Sequence, residues 1–352
     1  MKNILCTGAA GFIASNFVHY LQRERPDVEV WGLDALTYAG NLDNLKGLPH
    51  PEKFHFVHGD IKDFSVCINL ITHHMIDTIV HFAAETHVDR SINQPDLFVD
   101  TNVCGTQSLL AAAKCGWLYR SDPVRFHLVS TDEVYGSLGP NDPPSTEQSP
   151  YAPRSPYAAT KAAADHLVMS YWHTYGLPVT ISHGTNTYGP RAYPEKFIPL
   201  TILRAKGRQP IPIYGDGKNT RDWLFVEDHC SAIAFLLDNG RPGEMYNIGG
   251  NESISNINLA QSICRLIRTM YPTGSGALLT DLIEMVPDRP GHDLRYSLDI
   301  SKIIKLGWHP AFGMAVGLPE TVEWYWKNTE WVERVQADPR YQEWMKANYK
   351  ER

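Results

Sequence analysis

The stretch Lys2-Asn-Ile-Leu-Cys-Thr-Gly8-Ala-Ala-Gly11-Phe-Ile-Ala14 decides the fold. Its apolar run, Ile4-Leu5-Cys6, reads as a strand. Gly8 and Gly11 permit a tight turn and a close backbone approach to a pyrophosphate. From Phe12 the pattern reads as a helix whose N-terminal amides can bind phosphates. Ala14, at the third position of the glycine fingerprint, is small enough for close packing of helix on strand. A second strand, Glu29-Val-Trp-Gly-Leu33, ends at Asp34. That acid lies about 20 residues beyond the turn, where a carboxylate binds an adenosine ribose and disfavours the 2′-phosphate of NADP. A glycine triplet alone would be a weak signal. The ordered set of strand, glycine turn, helix, strand and acid points to NAD.

Outward from this unit, strand and helix alternate. Asp77-Thr-Ile-Val-His-Phe82 reads as a strand and Val99 to Lys114 as a helix. Val124-Arg-Phe-His-Leu-Val-Ser130 reads as a strand running straight into Thr131-Asp132-Glu133, and Leu177-Pro-Val-Thr-Ile-Ser182 as a further strand. The alternation predicts an α/β fold with a doubly wound parallel sheet and right-handed crossovers, the Rossmann arrangement, which binds ligands at the carboxyl ends of its strands. Gly139 to Pro156, rich in Pro, Ser and Gly, reads as a loop over the site. Beyond about Tyr188 the elements shorten and prolines accumulate, which predicts a smaller α/β substrate domain. Tyr246-Asn-Ile-Gly-Gly250 reads as a strand returning to the main sheet. The predicted division is residues 1–187 with 226–255 for the dinucleotide domain, and 188–225 with 256–352 for the substrate domain. The tail from Thr321, rich in Trp, Tyr and charge, reads as amphipathic helix packed on the surface.

A chain of 352 residues can bury a large core, and a net charge of −7 argues against nucleic acid or an anionic membrane as partner. An anionic ligand must then be met by local basic residues. No apolar run reaches the ~18 residues of a membrane span. The N-terminus reads as strand and glycine turn, not as a signal peptide. The six cysteines (Cys6, Cys67, Cys104, Cys115, Cys230, Cys264) form no CxxC pair; several lie in apolar segments and read as reduced, buried thiols, so the expected compartment is the cytoplasm. No metal-ligand cluster stands out.

The chemistry is concentrated in Ser130-Thr-Asp-Glu-Val-Tyr-Gly-Ser137 and Tyr157-Ala-Ala-Thr-Lys161. Tyr157 and Lys161 are four apart, on one face of a helix that Ser155-Pro156 would start. A lysine ammonium beside a phenol favours the phenolate and makes it a usable base near neutral pH. A surface tyrosine beside a solvated lysine would show the same spacing; the dinucleotide fingerprint tips the reading to catalysis. Asp132 and Glu133 could be a solvated turn pair. At a strand end and ahead of Tyr157, they read instead as one protonated and one ionised carboxyl, the pair an elimination of water needs.

The chain resembles the extended short-chain dehydrogenase/reductases, and within them the dTDP-glucose 4,6-dehydratases. The segments that carry the resemblance span nearly the whole length: Thr-Gly-Ala-Ala-Gly-Phe-Ile (7–13), Leu-Asp-Ala-Leu-Thr-Tyr-Ala-Gly-Asn-Leu (33–42) and His-Phe-Ala-Ala-Glu-Thr-His-Val-Asp-Arg-Ser-Ile (81–92). They continue with the string at 130–137, Pro-Glu-Lys-Phe-Ile-Pro-Leu (194–200), Arg-Asp-Trp-Leu-Phe-Val-Glu-Asp-His (221–229) and Asp-Arg-Pro-Gly-His-Asp (288–293). The Thr-Asp-Glu triplet discriminates most, because epimerases, decarboxylases and GDP-mannose dehydratases of the superfamily usually differ there.

The resemblance implies a redox-neutral mechanism in three steps. Tyr157, assisted by Lys161, takes the C4 hydroxyl proton while NAD accepts the C4 hydride, and Thr131 hydrogen-bonds the C4 oxygen. Glu133 removes the C5 proton and Asp132 protonates the departing C6 hydroxyl. The hydride then returns to C6. On the cofactor side it implies Gly8, Gly11, Phe12, Ile13, Asp34, Thr37, Asp60, Ile61, Ala83, Ala84, Thr101 and Thr187, with Tyr157 and Lys161. On the substrate side it implies Thr86, Thr131, Asn186, Glu195, Lys196, Pro212, Arg221, Asn256, Arg289 and His292, with Tyr214 near the nucleobase. Asp89 and Arg90 read as a structural pair. The family usually dimerises through two helices per subunit, and the segments from Val99 and Tyr157 are the candidates.

Ala9 and Ala14 stand where the family usually has glycine. Ser182-His-Gly-Thr-Asn-Thr-Tyr-Gly-Pro190 stands where the usual string is closer to Arg-Cys-Ser-Asn-Asn-Tyr-Gly-Pro. These departures leave open UDP-glucose or an N-acetylated sugar as substrate. An NAD-dependent 4-epimerase or decarboxylase would share the fold, but epimerisation needs no acid/base pair for elimination. A non-catalytic NAD-binding protein would not need the complete Tyr/Lys and Asp/Glu sets.

Overall fold

The computed structural model describes residues 1–272, 278–288 and 292–349. Its strands are β1 (Asn3–Thr7), β2 (Glu29–Asp34), β3 (Phe54–His58), β4 (Thr78–His81), β5 (Arg125–Thr131), β6 (Val179–Gly184), β7 (Asn186–Tyr188), β8 (Ile211–Tyr214), β9 (Thr220–Phe225), β10 (Glu244–Ile248), β11 (Ser253–Ser255) and β12 (Ile283–Val286). The helices of the first half are α1 (Phe12–Glu24), α2 (Phe64–His73), α3 (Val88–Asn93), α4 (Pro95–Phe98), α5 (Thr106–Trp117) and α6 (Pro156–Tyr175). Those of the second are α7 (Phe197–Lys206), α8 (Val226–Asn239), α9 (Asn256–Met270), α10 (Ser301–Leu306), α11 (Met314–Lys327), α12 (Thr329–Ala337) and α13 (Pro339–Tyr349).

Seven strands form one parallel sheet in the order β10-β6-β5-β4-β1-β2-β3. The chain runs outward from β1 to β3, then crosses back to build β4, β5 and β6 on the other side. The strand order therefore reverses between β1 and β4, where a crevice opens beyond the carboxyl ends. Alternate residues supply the two faces, as a pleated strand requires. Leu5, Ile79 and Phe126 pack with α2, α5 and α6, whereas Ile4, Cys6 and Val80 pack with α1 and α8. The doubly wound sheet expected from the alternation is present, and the 246–250 strand returns to its edge as β10.

Local signals explain the helices that matter. Ser155 caps α6 by accepting from the Ala158 amide at 3.1 Å, Pro156 occupies the first turn, and Gly176 closes the helix in the left-handed conformation. The helix expected from Val99 is not regular at its start. Residues 99–105 wind as a π-helix before α5 continues. Within that turn, buried Asn102 bonds both backbone groups of Glu85 and the Thr160 hydroxyl, tying the end of β4 to α6.

The second half contributes two small sheets, β11-β9-β7 and β12-β8. The tail does more than lie on the surface. Trp331 in α12 is buried and donates to the Asn44 side chain at 2.8 Å, and Arg334 pairs with Asp43 at 2.7 Å. The C-terminal helices thereby clasp the dinucleotide half. Cys6, Cys67, Cys230 and Cys264 are buried free thiols as expected, whereas Cys104 and Cys115 are exposed. No helix of the described residues is long and apolar enough to cross a membrane, and those residues hold no cluster of three metal-ligating side chains.

Candidate active site

The crevice at the strand reversal is one continuous cavity running from the β1–α1 turn to the start of α7. Gly8 makes its close approach possible. Its φ is +67°, and a Cβ there would lie 2.9 Å from the backbone of Ala83. Gly11 caps α1 with no side chain over the first-turn amides, which leaves them facing the cavity for an anion. Asp34, at the end of β2, accepts from the Ala10 amide at 2.9 Å and the Leu36 amide at 2.7 Å. One oxygen thus holds the glycine turn, and each keeps a lone pair for a ligand. Burial pushes the Asp34 carboxyl above its usual range. A dinucleotide fits this donor and acceptor set.

The five expected catalytic residues converge on the same cavity. Thr131, Asp132 and Glu133 line it from the end of β5, and Tyr157 and Lys161 from one face of α6. Asp132 is buried, its Oδ1 accepts from the Thr131 hydroxyl at 3.3 Å, and its Oδ2 has no partner. Burial, and then the Glu133 charge beside it, push the Asp132 carboxyl well above the carboxylate range, with Arg221 opposing. Asp132 is therefore biased toward its protonated form, with an oxygen unclaimed by the protein. Glu133 is only half-buried, and its amide donates to the Thr131 hydroxyl at 3.3 Å.

The Tyr157–Lys161 electrostatics differ from the sequence expectation. Lys161 donates to the Val129 carbonyl at 2.8 Å, and burial pulls its pKa down to about 8 while Asp165 opposes. Tyr157 is pushed up, first by burial and then by Glu133, with the Thr131 hydroxyl pulling it down. Desolvation, not the charge of Lys161, sets the direction in which the phenol is shifted.

The remaining expected residues divide into two groups. Phe12, Ile13, Thr37, Asp60, Ile61, Ala83, Ala84, Thr86, Thr101, Asn186, Thr187 and Lys196 all line the cavity with those named above. Glu195, Pro212, Tyr214, Arg221, Asn256 and His292 do not. Glu195 is fully buried and pairs with Arg90 at 3.1 Å. Arg90 in turn lies over the rings of Tyr38 and Trp344, so Glu195 is a structural partner of Arg90. Arg221 is buried against the Asp293 carbonyl at 2.9 Å and the Tyr296 ring, with its charge felt at Asp132. Tyr214 and His292 meet edge to face, and His292 bonds Asp288 at 2.6 Å. Arg289 lies outside the described residues.

Other groups line the cavity without having been picked out from sequence as site residues: Glu85, Ser130, Tyr193, Trp223 and His229. His229 is the most informative. The Thr187 hydroxyl donates to the Thr185 carbonyl at 3.2 Å, so its oxygen accepts from His229 Nδ1 at 2.8 Å. Burial lowers the His229 pKa to about 4, so the ring is neutral and its unpartnered Nε2 is an acceptor. A Cβ on Gly184 would lie 2.8 Å from this ring. Two departures from the family string, Gly184 and Thr187, therefore both serve to seat His229. Its presence in the 221–229 segment was the available signal; nothing local linked it to 184–187.

A family profile described as GDP-mannose 4,6 dehydratase matches residues 5–321. A dTDP-glucose 4,6-dehydratase of Xanthomonas campestris pv. campestris is 49% identical over 340 residues, covering 95% of this chain and 96% of the relative. The crystal structure of a dTDP-glucose 4,6-dehydratase from Streptomyces venezuelae with NAD bound superposes with a TM-score of 0.87 at 44% identity, over 95% of this chain and 100% of that one. A UDP-glucose 4-epimerase of Thermotoga maritima shares the fold at 26% identity and a TM-score of 0.81, over 93% and 100%. The near-complete coverage at this identity, on a cavity that brings Thr131-Asp132-Glu133 against Tyr157 and Lys161, places the chain in the dTDP-glucose 4,6-dehydratase family.

Proposed function

We propose that this chain converts dTDP-glucose to dTDP-4-keto-6-deoxyglucose and water, with NAD held in the crevice between β1 and β4. Bound there, NAD supplies an acceptor and then a donor of hydride, so that C4 is oxidised and C6 reduced with no net consumption. Tyr157 takes the C4 hydroxyl proton, with Lys161 as the nearby cation and Thr131 bonding the C4 oxygen. The 4-keto group acidifies C5–H, and Glu133 removes that proton. Asp132, biased toward its protonated form by burial, gives its proton to the C6 hydroxyl, which leaves as water.

The observation that carries this reading is the placement of Asp132. It is a buried carboxyl beside a half-exposed glutamate, with one oxygen unpartnered, in the cavity that also holds Tyr157, and burial pushes it toward the protonated form. An epimerase has no use for that acid. Incubation with nucleotide-glucoses followed by mass spectrometry tests it. A product lighter by one water from dTDP-glucose is expected. Unchanged mass or loss of CO2 would select epimerisation or decarboxylation.

For the substrate, Lys196, Arg221, Asn186, Asn256, Arg289 and His292 are assigned to the phosphates and nucleotide and Tyr214 to the nucleobase, with Thr86, Glu195 and Pro212 as further substrate contacts. The lobes are then 1–187 with 226–255, and 188–225 with 256–352. We further infer a homodimer through the helices that begin near Val99 and Tyr157, supported by the exposed Leu97 and Val99. Six free thiols suit a reducing cytoplasm.

A further inference from the structure

Behind the cavity, outside its lining, lies a closed polar cluster centred on His183, at the position where the family string has arginine. His183 and Asp165 are fully buried, and His183 Nε2 lies 3.0 Å from Asp165 Oδ2. Tyr151 donates to the same oxygen at 3.0 Å, and its own oxygen lies 3.0 Å from Nε2. On the other side of the ring, Nδ1 lies 2.9 Å from the Tyr135 hydroxyl.

Counting hydrogens fixes one side of the ring. Asn247 Nδ2 donates to the carbonyls of Ser145 at 3.0 Å and Asp299 at 3.2 Å, so its Oδ1 must accept. Tyr135 gives that Oδ1 its single hydroxyl hydrogen at 3.0 Å. The Tyr135 oxygen can then only accept from His183, so Nδ1 carries a hydrogen. Tyr151 gives its single hydrogen to Asp165 Oδ2, so the 3.0 Å contact of Nε2 with that oxygen needs one further proton between them. On the ring, that proton would make both nitrogens donors and pair an imidazolium with a buried carboxylate.

The cluster joins the two halves of the chemistry. Tyr135 sits on the same 3-10 turn as Asp132 and Glu133. Asp165 lies on the face of α6 that carries Tyr157 and Lys161, at successive spacings of four. The charged and titratable groups facing the cluster are Asp165 and Lys161 from α6, Tyr151 and Glu147 from the 138–155 loop, and Tyr135 with Asp132 behind it. His166 lies against the Tyr151 ring.

We propose that His183, as an imidazolium, is a positioning residue that ties the elimination turn 132–135 to the oxidation helix α6 through Tyr135 and Asp165. It rests on the function proposed above. A neutral ring would lose one of its two donors and release one side of the tie.

The first test does not depend on activity. Histidine 15N labelling of the full chain, assigned by difference against His183→Gln, is expected to show a ring protonated on both nitrogens at pH 7, with N–H protons slow to exchange. A singly protonated ring would overturn the proposal. The second test separates the steps. In His183→Gln, with NAD still bound and KM for dTDP-glucose within about 2-fold, single-turnover oxidation and water loss should both fall on the order of 10- to 100-fold, the scale of small misplacements. His183→Arg, a fixed cation with several donors, should recover at least part of both rates. Native rates in His183→Gln, or a loss confined to one step, would overturn the tie. Should His183→Gln fail to fold, Tyr135→Phe cuts only the link to the turn. It should slow water loss while sparing oxidation, and equal slowing of both would count against the proposal. A charged His183 in a protein that never dehydrates dTDP-glucose would sink the proposed function alone. A neutral His183 in an active dehydratase would sink this inference alone.

Discussion

The cofactor end and the nucleotide end of the molecule are built on different principles. At the cofactor end, each functional group sits at the close of a strand of one parallel sheet: Gly8 after β1, Asp34 closing β2, Ala83 and Ala84 after β4, Thr131 closing β5. Regular geometry places them, and short sequence spacings encode them. At the proposed nucleotide end, Lys196 caps α7, Tyr214 closes β8, Arg221 lies in β9 and Asn256 begins α9, and long-range contacts place some of them: Arg221 meets Asp293 and Tyr214 meets His292. The cofactor end is a fixed frame, whereas the nucleotide end is assembled by tertiary contacts. Substitutions at the sheet should therefore act on the chemical steps or on NAD binding, and those at the proposed nucleotide end on substrate binding.

The largest effect is expected at Tyr157. Tyr157→Phe removes the group that takes the C4 proton, and acid/base groups contribute ~10²–10⁴-fold. No absorbance of reduced nicotinamide should develop on mixing with dTDP-glucose. Glu133→Gln should cost turnover on the same scale but leave that absorbance intact, with the 4-keto sugar accumulating. Asp132→Asn should be milder, since the amide can still bond the C6 hydroxyl. If Tyr157→Phe and Glu133→Gln stop at the same step, the division of labour along β5 and α6 is wrong.

The pH dependence sharpens the same point. Lys161 keeps its proton below about 8 and loses it above. If its charge supports Tyr157, single-turnover oxidation should decline as pH rises through about 8. A limb near the ordinary lysine value, ~10.4, would show that burial does not govern this site.

Asp34→Ala comes next. It removes the ribose acceptor and loosens the glycine turn, so NAD should bind roughly 10-fold or more weakly. The preference over NADP should relax as well. An unchanged preference would contradict the role of this carboxylate. The smallest effect belongs to the nucleotide end. Tyr214→Ala should raise KM for dTDP-glucose several-fold, about 1 kcal/mol of stacking, with kcat nearly unchanged. A fall in kcat instead would erase the contrast between the two ends.

The legibility of the sequence follows the same boundary. The β1 turn, Asp34, the Thr131-Asp132-Glu133 triplet and Tyr157/Lys161 could be read because their chemistry needs fixed local spacings. What could not be read depends on residues brought together from afar. Arg90 finds Glu195 across 105 residues. Asn102 braces Glu85 from within a π turn that helical periodicity does not signal. The charge balance at Tyr157 was misread because spacing reports which groups are near, not how dry the site is. The seating of His229 on Gly184 and Thr187 had no local signature. The closing of α12 over Asn44 had none either, since helical amphipathicity does not name its partner.

The central claim is that oxidation, water loss and reduction occur in one cavity without exchange of the migrating hydrogen. dTDP-glucose carrying deuterium at C4 tests it most directly. The account predicts a 4-keto-6-deoxy product with that deuterium at C6 and no dependence on added NAD. Deuterium lost to solvent or recovered in the external NAD pool would contradict it.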